Sequence, residues 1–299
     1  MAKQVRHFEP LVQRPVTFDL KQVQSVIAQH GYVIVMIKYD GIRCLIKRDD
    51  AGKLRGYTRN GIEITTLREF FDDVPQEYEW LHNLIPGMVI DSEVLLKGCS
   101  FEQSSGILRR KQDNVGDGVV SLHPFDLVSF HQLTNSGACT APSIERLATL
   151  RKLTGIDTLY STEISTEIIK SNFNRALAKG HEGLIIRSPF QAYTGGKVLG
   201  WWKLKPDVIV GGTVIGIVHG TAGKANEDLP VGFTIQLDDG SICNATGIPD
   251  EMKHQIKKAP HKYLARCLDV KAMERTEKGN LRHPKFYRWR DQFERGVES

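Results

Sequence analysis

Residues 38–43 read Lys-Tyr-Asp-Gly-Ile-Arg and come directly after the apolar, β-branched run of residues 32–37. That run predicts a buried strand, so Lys38 stands at a strand end with a glycine turn to follow. A lysine placed there can pack its stem and aim its amine at a ligand. The amine is a poor nucleophile at its ordinary pKa of about 10.4. Desolvation, neighbouring cations or a metal lower that value and make the amine useful. Arg43 adds a rigid fork of donors suited to ribose or phosphate oxygens. Read by itself, the segment is also simply a strand followed by a polar turn.

Other candidate groups follow in order: Thr58-Arg59-Asn60-Gly61, Asp91-Ser92-Glu93, Pro124-Phe125-Asp126, Glu182-Gly183 running to Arg187, and Trp201-Trp202-Lys203-Leu204-Lys205. Each has a bland reading. Glu93 taken alone is a solvent-facing strand residue, Phe125 a core residue, and Trp201 and Trp202 packing residues. Lys203 and Lys205 lie two apart on a short strand, which puts both amines on one face. That face can be a site or merely a solvated surface.

Several elements must position these groups. Residues 18–30 predict an amphipathic helix, with Leu20, Val23 and Ile27 in phase and Gly31 as a stop. Residues 44–47, 88–96 and 119–130 predict strands, although Pro124 argues against a central position for the last. Residues 48–53 read as a hairpin turn. Residues 143–153 predict a helix with Ser143 as its N-cap, and residues 166–179 a second helix ended by Gly180. Short strands at 184–187 and 201–204 flank the Gly-rich loop 194–197. Beyond Pro206 the pattern changes to strands at 208–218, 232–237 and 241–245, the last two joined by Asp238-Asp239-Gly240. A short helix at 250–258 and a strand at 263–273 complete the pattern of a small OB-type barrel. The expected organisation is therefore α+β, with one domain over 1–206 and a barrel over 207–299.

Composition agrees with two ordinary globular domains. The 299 residues are 40% apolar and 25% charged, which argues against disorder, a collagen or a coiled-coil rod. The net charge of +5 permits a polyanionic partner without demanding one. No apolar stretch is long enough for a membrane span, and no apolar leader is visible at the start. Cys44, Cys99, Cys139, Cys243 and Cys267 are scattered and form no CxxC pair, so neither a disulfide framework nor a structural zinc site is expected. The chain reads as a cytoplasmic protein without a membrane.

The ordered series of motifs, rather than any one of them, resembles the covalent nucleotidyltransferases: DNA ligases, RNA ligases and mRNA capping enzymes. Within that superfamily it is most similar to the small ATP-dependent DNA ligases of T7-like bacteriophages. Residues 98–110, 200–206 and 219–246 favour that subgroup, and residues 281–286 resemble the last motif of DNA ligases. The likeness runs from about residue 30 to residue 290. It implies an adenylation domain of antiparallel sheets with flanking helices, followed by an OB-fold barrel.

The resemblance also implies a chemistry. Lys38 would attack the α-phosphate of ATP and carry AMP, pass it to the 5′-phosphate of a nick in duplex DNA, and a 3′-hydroxyl would then displace it. Arg43 and Arg59 would contact the sugar and phosphates, and the backbone at Ile37 the base. Glu93 would engage the ribose or a metal. Phe125 would stack on adenine, with His123 as a second candidate. Glu182 would ligate Mg²⁺, or Mn²⁺ in its place, as a hard cation prefers. Lys203 and Lys205 would hold the α-phosphate, and the cations around Lys38 would lower its pKa. One copy of the chain suffices for one nick, so a monomer is expected.

The sequence departs from the family pattern in places. Met36 stands where related phage ligases carry a Glu that reads the adenine amino group. Ser92 replaces a Gly. Arg187 stands where the family has a Lys, and keeps the charge with a different geometry as a nucleotide contact. In the last motif Arg288 and Arg290 match, but Gln292-Phe293 replaces an Asp-Lys that orients the leaving pyrophosphate. For DNA, the basic cluster Arg109-Arg110-Lys111 and Lys224 are candidate phosphate contacts; each is otherwise an ordinary solvated loop charge. The alternatives are an RNA ligase, a capping-type enzyme, or a nick-binding protein without catalysis.

Overall fold

A computed structural model describes residues 5–135, 140–157, 161–221, 223, 226–272, 274–276 and 279–290. The chain divides into two compact units between Leu204 and Lys205. In the first unit the elements run β1 (Gln13–Thr17), α1 (Leu20–His30), β2 (Val33–Lys38), β3 (Ile42–Arg48), β4 (Leu54–Tyr57), α2 (Arg68–Asp72), β5 (Met88–Leu96) and α3 (Phe101–Leu108). They continue with β6 (Val120–Ser129), α4 (Phe130–Thr134), α5 (Ser143–Thr154), β7 (Ser161–Glu163), α6 (Thr166–Ala178), β8 (Gly183–Arg187) and β9 (Gly196–Leu204).

Two sheets result, a five-stranded one in the order β1-β9-β8-β2-β7 and a four-stranded one in the order β4-β3-β5-β6. All neighbouring pairs are antiparallel except β1 with β9, which run parallel. β2 explains why residues 32–37 are apolar without alternation. Val33 and Val35 pack with Val23 of α1 and Ile169 of α6. Ile34 and Met36 pack the other way, with Cys44 and Ile46 of β3 and Ile90 of β5. Both faces of the strand are covered, so the run has no solvent-facing side, and each fully buried side chain contributes roughly 1.5–3 kcal/mol. The same alternation puts Lys38 on the face of Ile34 and Met36, toward the other sheet.

Local signals fix the helix ends. Asp19 caps α1 by accepting from the Gln22 N–H, and Gly31 closes it in the left-handed conformation. Ser100 and Gln103 form a reciprocal capping box on α3. The expected cap of α5 is corrected: Pro142 holds the cap position and Ser143 lies inside the helix, its hydroxyl donating to the Gln191 carbonyl at 2.9 Å.

Pro124 is accommodated in two ways. β6 is an outer strand, and its register against β5 shifts between the pairs Asp91–Asp126 and Ser92–Pro124. Phe125 is the extra residue of that bulge.

The second unit is a closed barrel of β10 (Val208–His219), β11 (Pro230–Leu237), β12 (Ile242–Thr246), β13 (Cys267–Ala272) and β16 (Lys285–Trp289), with α7 (Asp250–Lys258) between β12 and β13. A two-stranded ribbon, β14 (Glu274–Arg275) with β15 (Leu281–Arg282), precedes β16. Five strands with one intervening helix follow the plan expected of an OB-type barrel. Its core gathers around Phe233, which packs against Phe286 and Trp289. The strand expected over 263–273 is shorter: residues 260–266 form a 3₁₀ turn and loop, and pairing starts at Cys267.

Candidate active site

A cavity of about 340 Å³ lies in the first unit, lined by residues of both sheets. This is within the range of small-ligand sites. Met36, Ile37 and Lys38 of β2 contribute to its wall, with Arg43 of β3 and Glu93 of β5. Phe125 of β6 and Trp201 of β9 form an aromatic end, and Tyr39 with His123 a second aromatic surface. The rings of Tyr39 and His123 stack at 3.6 Å between centroids, and the Ser121 hydroxyl lies 3.0 Å from the His123 Nε2. Burial lowers the His123 pKa to about 4, so its ring is neutral.

The Lys38 amine forms an ion pair with Glu182, which immediately precedes β8. Lys203 belongs to the same electrostatic neighbourhood. Its ammonium is held below its ordinary range, first by burial and then by the like charges of Lys38 and Lys197. On β9, Trp201 and Lys203 share one face, while Trp202 points oppositely and donates from its indole to Gln22 of α1 at 2.9 Å.

Arg43 is held by a bidentate contact to Asp91, with Nε at 2.7 Å, and donates to the Gln13 carbonyl at 2.6 Å. Burial opposes its charge, but Asp91 outweighs that and keeps the guanidinium firmly ionised. Its plane lies 5.3 Å from the Phe125 ring centroid. Asp91 and Glu93, two apart on β5, divide their tasks. Asp91 is fully buried and committed to the arginine, whereas Glu93 lines the cavity. Burial raises the Glu93 pKa to about 7, and the charges of Lys38 and Arg43 only partly offset it.

Several expected residues are placed otherwise. Arg187 is 1% exposed and does not line the cavity. It pairs with Asp126 and donates to the Phe125 carbonyl at 3.0 Å, so it lies behind the aromatic end and the expected direct nucleotide contact is corrected. Arg59 is exposed in a turn and is absent from the lining. β9 ends at Leu204, so strand alternation does not extend to Lys205, which opens the second unit. Arg109, Arg110 and Lys111 are exposed beyond α3, while Lys224, Gln292 and Phe293 fall outside the described residues. In the barrel, Arg288 and Arg290 donate to opposite oxygens of the buried Asp269 at 2.7 and 2.6 Å.

Sequence reasoning does not single out Asp91, Asp126, Arg146 or Tyr193 as site residues. The Asp91-x-Glu93 spacing on a strand is the available signal for the first.

A lysine at the end of a core strand, ion-paired to a glutamate beside an aromatic-walled cavity on two sheets, defines a nucleotidyltransferase domain. The family model of the ATP dependent DNA ligase domain matches residues 16–205, and the chain belongs to that family. The DNA ligase of Escherichia phage T7 is 26% identical over 341 aligned positions, covering 93% of this chain and 95% of that protein. The DNA ligase of Enterobacteria phage T3 is 27% identical, covering 93% and 94%. The solved structure of the ATP-dependent DNA ligase from bacteriophage T7 in complex with ATP matches with a TM-score of 0.54 at 24% identity, covering 95% of this chain and 99% of that one. This last likeness bears on the fold.

Proposed function

We propose that the enzyme seals 3′-hydroxyl/5′-phosphate nicks in duplex DNA, with Lys38 as the covalent carrier of AMP. The observation that carries this reading is the placement of the Lys38 amine at the cavity, ion-paired to Glu182. The amine nitrogen attacks the α-phosphorus of ATP. An N–P bond forms, the bond to pyrophosphate breaks, and the amine proton passes to solvent. The 5′-phosphate at the nick then takes AMP and returns the lysine. Finally the 3′-hydroxyl attacks that phosphate, the phosphodiester forms, and AMP leaves. Splitting one condensation in this way is covalent catalysis.

Phe125 and Trp201 offer the base an apolar slot, with the backbone at Ile37 beside it. Arg43 and Arg59 serve the sugar and phosphates, and Lys203 and Lys205 the α-phosphate. Glu93 and Glu182 are hard oxygen donors close to Lys38, which suits Mg²⁺. Among the described residues no group of three or more potential protein ligands forms. One or two carboxylates completed by substrate phosphates is how Mg²⁺ is held in nucleotide enzymes. Bound there, the ion would neutralise charge on the phosphates. Arg109, Arg110, Lys111 and Lys224 are proposed contacts to the DNA backbone, and Arg288 and Arg290 act in the adenylation step. The first domain performs adenylation and the barrel engages the nick. No helix among the described residues is long and apolar enough to cross a membrane, and we assign a monomer acting in the cytoplasm.

The test is sealing of a singly nicked duplex with ATP and Mg²⁺ by the wild type and Lys38→Ala. Sealing that disappears in the variant supports the reaction and its nucleophile together. Absence of sealing by the wild type overturns the DNA reading and directs attention to RNA-containing nicks and GTP.

A further inference from the structure

Arg146 lies on α5, outside the cavity, and is 4% exposed. Its guanidinium grips the fully buried Asp126 with both prongs, Nε at 2.8 Å and Nη2 at 3.1 Å. It also donates to the carbonyls of Ala141 at 2.6 Å and Gln191 at 3.0 Å. Two routes lead from it to the cavity. In the first, Asp126 pairs with Arg187, and Arg187 donates to the Phe125 carbonyl and covers the Trp201 ring at 4.9 Å. In the second, the Arg146 guanidinium lies 5.6 Å from the Tyr193 ring centroid, and the Tyr193 hydroxyl donates to Asp91 at 2.9 Å. Asp91 in turn holds Arg43. The routes meet where Arg43 faces the Phe125 ring, so the chain of partners closes into a ring.

Of the groups along these routes, Phe125, Trp201 and Arg43 line the cavity. Phe125 is the bulged residue of an outer strand, a position that strand pairing alone leaves loosely specified. Buried networks of paired charges fix geometry in this manner: each guanidinium here meets a carboxylate, while the Arg187 Nε has no hydrogen-bond partner. Burial alone would raise the Asp126 carboxyl. The two guanidiniums outweigh it and hold the group below the usual carboxylate range, so it stays charged.

We infer that Arg146 is a positioning residue for nucleotide binding: it sets Phe125 and Arg43 against each other so that the cavity presents a ring and a guanidinium in fixed register. The inference rests on the cavity being the nucleotide site. Removing Arg146 leaves Asp126 still paired with Arg187, so the core retains a compensated charge while the brace is lost. The effect falls on ATP affinity rather than on the chemical step at Lys38.

The test measures single-turnover self-adenylation against ATP concentration for the wild type, Arg146→Ala, Arg146→Lys and Tyr193→Phe, with thermal melts to verify folding. Arg146→Ala should raise the half-saturating ATP concentration about tenfold with little change in the limiting rate. Arg146→Lys, which keeps the charge without the fork, should recover only part of it. Tyr193→Phe keeps the ring and loses the hydroxyl, and should give a rise of about threefold. Folded Arg146→Ala with unchanged half-saturation, or with a lowered limiting rate alone, overturns the inference. Should the Arg146 variants not fold, Tyr193→Phe decides by the same criterion. A wild type that binds ATP without forming an adduct would sink the proposed reaction while leaving this inference testable by calorimetric ATP binding. A wild type that does not bind ATP removes both.

Discussion

The amine of Lys38 and the carboxylate of Glu182 are ion-paired across the junction of β2 and β8, where Lys38 stands in register with Gly183. The proposed nucleophile and a proposed metal ligand therefore occupy each other in the free protein. An ammonium cannot attack phosphorus, so in the proposed reaction the amine must first give up its proton. Glu182→Gln removes the partner charge and replaces an anionic oxygen ligand by a neutral amide. Self-adenylation should fall by on the order of 100-fold. Loss of radiolabelled AMP transfer, with an unaltered melting temperature, is the measurement; full activity in the variant would exclude both roles for the glutamate.

The glycine of the Lys38 motif is required by close approach. A Cβ on Gly41 would lie 2.5 Å from the Val94 carbonyl oxygen and 2.9 Å from the Glu93 Cγ. Gly41→Ala should push the turn off β5 at a cost of about 1–3 kcal/mol. The resulting displacement of Lys38 and Glu93 should slow sealing by about tenfold or more. Denaturant melts and single-turnover sealing read the two effects separately.

Glu93 predicts a pH dependence. Its pKa rises from an ordinary 4.5 to about 7, so across that window the native protein binds more protons at this site than the unfolded chain does. Its contribution to stability is full below the lower value and is lost as the pH rises through the upper one. In EDTA, the stability of Glu93→Gln relative to the wild type should increase by about 1–3 kcal/mol between acid and mildly alkaline solution. Urea melts across that range test it, and a pH-independent difference would remove the raised carboxyl from the account.

The exposed cluster after α3 predicts a salt effect. Replacing Arg109, Arg110 and Lys111 by Ala should weaken nick binding equally across sequences. The slope of log affinity against log salt should drop by about 0.9 for each DNA phosphate that the protein no longer neutralises. Titrations at several salt concentrations would expose an unchanged slope, the result that would return these residues to simple solvation.

Sequence patterns reveal elements whose cause is local. β2 is legible because both of its faces are covered, which leaves an unbroken apolar run ending at Lys38. The strand β5 is legible from its alternation. The box Ser100-x-x-Gln103 carries the signal for α3, although the surrounding residues look like a Gly/Ser-rich stretch. β1 carries no comparable signal: it is five residues long, contains Pro15, and is defined by parallel pairing with β9, far along the chain. The same distance hides the supports of the site. Lys38, Arg43, Glu93 and Phe125 can be named from motifs, but nothing local to Asp126 announces Arg146, or to Asp91 announces Tyr193. Arg187 misleads for a related reason, since a charged residue in a motif suggests a ligand until burial shows its partner.

The irregularity at Phe125 has a second effect. Among the described residues β6 has a neighbouring strand on one side only, and such a strand is a template on which another chain can assemble. Pro124 offers no N–H to an incoming strand, and the adjacent bulge breaks the spacing that a straight partner would need. The bulge that turns the Phe125 ring toward the cavity therefore also makes β6 a poor template for a further strand, and a variant that regularised β6 would be expected to lose solubility along with activity.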